Sequence, residues 1–273
     1  MSAAERWATL LGDWALPDHV LDQAPRSPWV HDTATFVVDD TLDRDVVSAT
    51  VARTVLPPTG GSVLDVGCGG GRAAMSLVPP AERVIGVDRS PDMLAAFTAA
   101  AGRAGARSTA IQGEWPDVAI DAPVADVVTC HHVVYDVAEI DTFLMALTAH
   151  ARLAVVLVLP PRHPMSAWNE AWSHFWGIDR PDGPIDDDLV AVLDELGLDA
   201  ERWTMPRPPL ARHADDPDAL VPSTLRRLCL DDDRADEVAD HLARHPPDWP
   251  STHTVLRWPG EAPSWPSGSG LRP

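Results

Sequence analysis

The sequence contains no lysine, and its 21 basic residues, all arginine, are outnumbered by 41 acidic residues. The formal net charge is therefore −20 at pH 7. Because the phosphates of nucleic acids attract basic surfaces, so acidic a chain argues against general binding to DNA or RNA. We expect no nucleic-acid partner.

Cysteine is scarce as well, since only Cys68, Cys130 and Cys229 are present and they are widely separated. They include no CxxC pair and no histidine at zinc-ligand spacing, so the sequence indicates neither a disulfide framework nor a structural zinc site. No window approaches the roughly 18 apolar residues of a membrane span, and the first residues lack the basic-then-apolar order of a secretory signal. We expect a cytoplasmic protein with no membrane partner, while the oligomeric state is left open.

Short apolar runs alternate with helical stretches from residue 62 onward, which is typical of a parallel sheet with crossover helices. The predicted strands cover residues 62–67, 83–88, 107–112, 125–130, 152–160, 201–207 and 252–258. The clearest helix is 90–105, which Ser90 can cap and in which Pro91 takes the first helical position. The sequence thus predicts an α/β fold: a Rossmann-like, doubly wound, mostly parallel seven-stranded sheet with an N-terminal helical cap and helical insertions.

The same pattern predicts the domain organisation. Residues 1–55 are expected to form the helical cap, in which Ser2 and Glu5 have the spacing of a capping box. Residues 56–260 are expected to form the main domain, with insertions at about 161–184 and 210–248. The tail, 261–273, is rich in Pro, Gly and Ser and is expected to be mobile.

An aromatic stripe at helical spacing marks the first insertion and comprises Trp168, Trp172, Phe175 and Trp176. Such stripes are typical of core packing. The segment also follows the fifth strand, where open α/β sheets place the parts that cover a ligand, so a lid over a small molecule is a second interpretation.

A glycine-rich turn, VLDVGCGGGR, ends the first predicted strand. Gly67, Gly69 and Gly71 stand at alternate positions, where the backbone can adopt positive φ and lie close to a bound molecule. Asp88 ends the second predicted strand, 23 residues after Asp65. A carboxylate at that place can accept hydrogen bonds from ribose hydroxyls. Together these features predict a nucleoside site.

The segment from Asp65 to Gly71 resembles the first motif of the class I S-adenosylmethionine-dependent methyltransferases, an acidic residue followed by GxGxG. The resemblance spans roughly residues 55–160 and implies S-adenosyl-L-methionine as the cofactor. It implies that Asp88 binds the ribose, that Met93 packs against the adenine and that the loop 113–115 flanks the adenine. The segment 125–137 is similar to the fourth motif of the family, which lies beside the methionine moiety. The cofactor-binding residues implied in this way are Asp65, Gly67, Cys68, Gly69, Asp88, Arg89, Met93, Glu114, Trp115, Cys130 and His131.

Three residues near the end of the fourth strand are candidates for catalysis: His131, His132 and Tyr135. Imidazole titrates near neutrality, so either histidine could act as a base, and His163 is a further candidate. Adjacent residues point in different directions, so at most one of the pair is expected to face the cofactor. Without a third spaced ligand they define no metal site. Tyr135 could orient an acceptor or satisfy a buried backbone group.

The resemblance implies transfer of a methyl group to a small-molecule acceptor by in-line displacement. Two alternatives stay open: a non-catalytic S-adenosylmethionine-binding subunit and an NAD(P)-dependent oxidoreductase. The spacing disfavours the oxidoreductase, because a G-x-G-x-x-G register starting at Gly67 places Arg72 at the third glycine. A register starting at Gly69 places an acceptable Ala74 there but leaves Asp65 unexplained. Asp65 would also bring negative charge toward a pyrophosphate.

Overall fold

One sheet of seven strands organises the computed structural model, which describes residues 1–29, 38, 45–207 and 217–262. Its strands are β1 (Gly61–Val66), β2 (Ala81–Asp88), β3 (Arg107–Gln112), β4 (Ala125–His131), β5 (Ala151–Leu159), β6 (Glu201–Pro206) and β7 (Thr252–Pro259). They pair in the order β3-β2-β1-β4-β5-β7-β6. Strands β1 to β5 are parallel, and β7 is antiparallel to β5 and β6. The expected α/β class and mostly parallel seven-stranded sheet are confirmed.

Ten α-helices lie in the described ranges, and two of them begin at capping residues that the sequence predicts. They are α1 (Ala3–Gly12), α2 (Asp18–Leu21), α3 (Val47–Arg53), α4 (Arg72–Met75), α5 (Pro91–Ala104), α6 (Ile140–His150), α7 (Asn169–Trp176), α8 (Asp186–Glu195), α9 (Pro217–Arg227) and α10 (Ala235–Arg244). Ser2 and Glu5 form the expected capping box on α1. The Ser90 hydroxyl accepts a hydrogen bond from the Met93 N–H at the start of α5.

Two hydrophobic cores lie on opposite faces of the sheet, because alternate side chains of a strand point to opposite sides. On β5, Val155 and Leu157 belong to the core that α1, α6 and α8 cover, whereas Val156 and Val158 belong to the core that α3, α4 and α5 cover. Trp7 of α1 is fully buried in the first core. The predicted cap helix therefore packs on the main body.

A third, smaller core joins the insertions to α2, and the aromatic stripe lies in it. Trp172 is 1% exposed and Trp168 is 7% exposed. The Trp168 Nε1–H donates to the Thr224 hydroxyl of α9. The core interpretation of the stripe is thus the one that the structure supports.

Some predictions lie outside the described residues. They include most of the tail, from residue 263 onward, residues 210–216 of the second insertion, and residues 30–37 and 39–44 of the cap. The domain boundaries stay a prediction. In the described part of the chain, no helix combines the length and apolar character needed to cross a lipid bilayer.

Candidate functional site

The candidate site lies at the carboxyl ends of the parallel strands. Strand β1 has β2 on one side and β4 on the other, so successive crossovers diverge there and leave a crevice. Open α/β sheets bind ligands at such a switch point. The residues that follow β1, β2, β3 and β4 are therefore brought together at one edge, as the motifs predict.

The turn after β1 requires glycine at its first position. Gly67 has φ +68°, and a Cβ atom there would lie 2.3 Å from Val133 Cγ2. The N–H groups of Gly67 and Cys68 both donate to the Val87 carbonyl, at 2.9 and 3.0 Å. The backbone of the turn is thus anchored to β2, with no room for a side chain at Gly67.

The rest of the turn passes over α5. Gly71 has φ +91° and directly precedes α4. A Cβ atom on it would lie 2.9 Å from Phe97 Cδ2. Cys68 turns its thiol inward, since its Sγ atom would lie 2.8 Å from a Cβ placed on Gly86. Only the backbone of Cys68 can therefore face a ligand, and burial raises the pKa of its thiol.

Asp88 ends β2 and holds the turn from the side. Its Oδ2 accepts from the Gly69 N–H at 2.9 Å and its Oδ1 accepts from the Ser90 N–H at 2.9 Å. A carboxylate has about four lone-pair sites. The half-buried Asp88 side chain therefore keeps acceptor capacity for a ligand while fixing the turn against the start of α5.

Asp65 lies beneath the turn and is 1% exposed. Its Oδ2 accepts from the Ala74 N–H at 3.1 Å, in the first turn of α4, and its Oδ1 accepts from the Thr129 hydroxyl at 3.1 Å. Burial raises the pKa of Asp65 to about 7, against the effect of these hydrogen bonds. This placement argues against the direct cofactor contact that the resemblance implied. Asp65 joins β1, α4 and β4 instead.

The predicted adenine-side residues lie around the ends of β2 and β3. Met93 is 9% exposed at the start of α5. Arg89 and Glu114 are exposed and form an ion pair at 3.8 Å. The Trp115 ring is 8% exposed and packs edge-to-face on His150, with ring centroids 4.9 Å apart. The indole therefore belongs to the core beneath the cleft, and Glu114 is the side chain that remains at the surface.

His131 ends β4 and His132 follows it, and their rings diverge, as expected. The ring centroids of His131 and His132 lie 6.4 Å apart at an interplanar angle of 80°. His131 is half-buried, and its Nε2 lacks a hydrogen-bond partner among the described residues. Burial lowers the pKa of His131 to about 3. The preceding Cys130 is fully buried, and burial raises the pKa of its thiol.

His132 has φ +62°, in the left-handed region that few residues other than glycine occupy. Its N–H donates to the Val158 carbonyl at 2.8 Å. Solvent reaches the side chain, yet the protein atoms around it lower its pKa to about 4. This combination is typical of a side chain on the wall of a cleft.

Tyr135 has its polar group committed to the protein. The hydroxyl donates to the Pro160 carbonyl at 2.9 Å, and the ring stacks on Trp7 at 5.5 Å. Burial raises the pKa of Tyr135. Of the two roles considered for this residue, the structure supports the satisfaction of a buried backbone group.

His163 is committed in the same way. Its Nδ1 accepts from the Met165 N–H at 3.2 Å, and its ring stacks on Trp14 with centroids 4.0 Å apart. Burial lowers its pKa to about 3. His163 therefore joins the cap to the segment after β5 and is a poor candidate for a base.

Sequence reasoning missed His253, the second residue of β7. Its ring lies 4.7 Å from that of His132, edge-to-face, and burial lowers its pKa to about 3. An antiparallel strand starts at the edge of the sheet where the strand it pairs with ends, and β7 is antiparallel to β5. This topology was the signal that could have revealed His253.

A contact between cap and insertion also went unpredicted. Arg227, the last residue of α9, is half-buried and donates to the Pro28 carbonyl. Its charge, together with that of Arg89, acts on Asp136, whose pKa burial raises and these cations lower. Cap, second insertion and the segment after β4 therefore meet over the crevice.

Comparison with known proteins gives the same assignment for the central part of the chain. Residues 63–153, from β1 to the start of β5, match the family model described as "Methyltransferase domain". No curated protein matches the sequence.

Solved structures share the fold. Magnesium protoporphyrin IX methyltransferase (ChlM) from Synechocystis PCC 6803, solved with bound SAH, is 16% identical with a TM-score of 0.50, covering 79% of this chain and 80% of that one. A cyclopropane-fatty-acyl-phospholipid synthase-like protein from Lactobacillus casei ATCC 334 is 18% identical with a TM-score of 0.52, covering 89% and 98%. The [4+2]-cyclase SpnF is 13% identical with a TM-score of 0.52, covering 80% of each chain. These likenesses establish the architecture, and the family match confirms the resemblance.

Proposed function

We propose that this chain, a class I S-adenosylmethionine-dependent methyltransferase by its domain and fold, transfers a methyl group to a small-molecule acceptor by in-line displacement. The observation that carries the proposal is the glycine turn after β1, clamped between Val87 and Asp88 within the matched domain. When bound, S-adenosylmethionine supplies a methyl group already activated by its sulfonium.

The residues around the turn fit this cofactor. Gly67 and Gly69 have φ +68° and +49°, so bare backbone faces the crevice. Asp88 keeps lone pairs for ribose hydroxyls beside that backbone. The buried His131 Nε2, without a partner in the described ranges, adds a polar atom for a ligand next to β4. We propose that these groups, with Met93 and Glu114 on the adenine side, hold the cofactor.

Enclosure of the crevice supports a small acceptor. The cap reaches the segment after β4 through the Trp7–Tyr135 stack and reaches the segment after β5 through the Trp14–His163 stack. Arg227 joins the second insertion to the cap at Pro28. We propose that the elements joined by these contacts exclude water and hold the acceptor in line, since alignment alone can lower a barrier by about 7 to 11 kcal/mol.

The state of the nearby side chains favours an acceptor that needs no base. The Tyr135 hydroxyl and the His163 Nδ1 are hydrogen-bonded to backbone groups, and the surrounding protein lowers the pKa of His131 to about 3 and that of His132 to about 4. A general base works best when its pKa lies near the working pH. We therefore propose an acceptor atom that already presents a lone pair, as a carboxylate oxygen or a neutral amine nitrogen does.

Calorimetry on the whole chain tests the cofactor assignment. We expect S-adenosylmethionine and S-adenosylhomocysteine to bind and nicotinamide dinucleotides not to bind. Asp88→Ala should weaken nucleoside binding by about 1 to 3 kcal/mol, because hydrogen bonds to a charged group are lost. The matched control is Asp121→Ala, an exposed acid in the short helix before β4, which should leave affinity unchanged. Unchanged affinity in Asp88→Ala, or binding of a dinucleotide instead, would contradict the assignment.

A role other than methyl transfer, such as that of an S-adenosylmethionine-binding subunit, is the second candidate, and one observation favours it. The [4+2]-cyclase SpnF shares this fold, so the architecture also serves proteins named for another reaction. Transfer of a labelled methyl group to pools of small carboxylic acids and amines separates the two. Transfer supports the methyltransferase, whereas tight S-adenosylhomocysteine binding without transfer to any pool supports the binding subunit.

A further inference from the structure

A cavity of about 300 Å³, apart from the crevice at the strand ends, lies between the first insertion and the end of α10. It is lined by the segment 166–171, by Arg162 and Asp182, and by Leu242 and the segment 245–248. None of these residues belongs to the candidate cofactor site. The cavity is therefore separate from the residues proposed to hold the cofactor.

Two of its lining residues carry buried oxygens that lack hydrogen bonds. Ser166 is 7% exposed, and its Oγ has no partner among the described residues. The Asn169 Nδ2 donates to the Pro181 carbonyl at 3.4 Å, while its Oδ1 is buried without a partner in the same ranges. An unsatisfied buried polar group costs about 1 to 3 kcal/mol. A ligand with N–H donors that fills the cavity would remove this cost after a small side-chain rotation.

These residues share one side of the insertion with an acid. Ser166 lies in the short 3₁₀ helix Pro164–Trp168, which leads directly into α7. Asn169 and Glu170 form the first turn of α7, and both line the cavity with Ser166.

The charge of the lining is negative. The lining contains one arginine, Arg162, and three acidic residues, Glu170, Asp182 and Asp248. Arg162 pairs with Asp248 at 2.6 Å, and Glu170 contacts His245. Asp182 forms no ion pair with any residue that the structure describes. One carboxylate therefore remains without a countercharge at the rim.

We propose that this cavity binds a small organic cation, a protonated amine carried on an apolar body. Its N–H groups would donate to Ser166 and Asn169, and its charge would offset that of Asp182. Its apolar part would lie against Trp168 and Leu242, which also line the cavity. An anion is disfavoured because the negative lining would repel it.

Three probes with one ring and different charges test the proposal on the full chain: benzylamine, benzyl alcohol and benzoate. We follow binding by NMR through the indole N–H signal of Trp168. Benzylamine should bind about 10-fold more tightly than benzyl alcohol, as a charged hydrogen bond predicts, and benzoate should not bind. Equal affinity for the three probes, or no binding of benzylamine, would overturn the proposal.

Two variants locate the site. Ser166→Ala and Asp182→Asn should each weaken benzylamine binding by about 3- to 10-fold, the worth of one hydrogen bond or exposed charge contact. Ser166→Ala should not lower thermal stability, because the hydroxyl it removes has no partner. The matched control is Asp199→Asn, an exposed acid outside the cavity, which carries the same charge change. Unchanged affinity in both site variants, or displacement of benzylamine by S-adenosylhomocysteine, would refute a separate site.

Discussion

Replacement of Asp65 by asparagine should separate the two roles that this carboxyl group can have. Asparagine keeps an oxygen to accept from the Ala74 N–H, and its amide can donate to the Thr129 hydroxyl, which can turn to accept. The variant therefore preserves the links between β1, α4 and β4 while removing the ionisable group. Its effect should depend on pH, because burial raises the pKa of Asp65 from 3.8 to about 7.

The sign and size follow from linkage. A carboxyl group whose folded-state pKa is raised binds a proton more readily in the folded protein, so its stabilisation is present at low pH and is lost as pH rises through 7. Each pKa unit corresponds to about 1.4 kcal/mol. Between pH 8 and pH 5 the natural protein should therefore gain about 2 to 3 kcal/mol of unfolding free energy relative to Asp65→Asn.

Urea denaturation of both proteins at pH 5 and pH 8 measures this double difference, in which the contributions of all other groups cancel. Asp121→Asn serves as an exposed control and should change little between the two pH values. Stability curves that stay parallel would refute the buried, proton-binding state of Asp65. The same variant should keep its affinity for S-adenosylhomocysteine within a few fold at pH 8, whereas a direct grip on the cofactor would cost 10-fold or more.

Three further outcomes are expected. Gly67→Ala should destabilise the fold by about 1 to 3 kcal/mol, because its Cβ would lie 2.3 Å from Val133 Cγ2. Calorimetry should then detect no S-adenosylhomocysteine binding; normal binding would contradict the role of the glycine turn in holding the cofactor. Tyr135→Phe should cost about 1 to 3 kcal/mol in denaturation, because it leaves the Pro160 carbonyl unpaired, while the rate of methyl transfer should persist; a lost rate at full stability would restore its catalytic role. For His163, a folded-state pKa of about 3 keeps the ring neutral, so stability falls as pH drops below the unfolded value. The natural protein should lose about 2 kcal/mol relative to His163→Asn between pH 7 and pH 5, and parallel curves would contradict this.

The fold was largely predictable because its signals are local. All seven strands were predicted to within two residues at either end. Buried parallel strands form continuous apolar runs, and helices carry recognisable start signals, as at Ser90 and Pro91. Local signals do not say which element packs against a given surface. The aromatic stripe at Trp172 therefore agreed with both the core and the lid interpretation, and only its packing against α9 and α10 decides between them.

The site was predictable by position and less so by role. The motifs correctly brought the ends of β1, β2 and β4 to one edge, but the direction of each side chain depends on atoms distant in sequence. Asp65 points beneath the turn because Ala74 and Thr129 satisfy it there. His253 reaches the same edge from a strand 120 residues after His132, which no local motif can connect.

The two halves of the proposed activity therefore reside in different parts of the chain. The matched domain, residues 63–153, contains the turn and Asp88. In its fourth-motif region, Tyr135 has a packing role, because its ring stacks on Trp7 of α1. The elements that we propose enclose the crevice, here called the roof, lie outside the matched region: α1, the segment before α7, and α9. Because the roof and the walls beside it differ in sequence from the shared domain, we infer that they select the acceptor, while the shared domain determines the cofactor. Changes at Trp14 or Arg227 should accordingly alter acceptor preference in a methyl-transfer assay and leave S-adenosylhomocysteine affinity unchanged, and the opposite pattern would overturn this division.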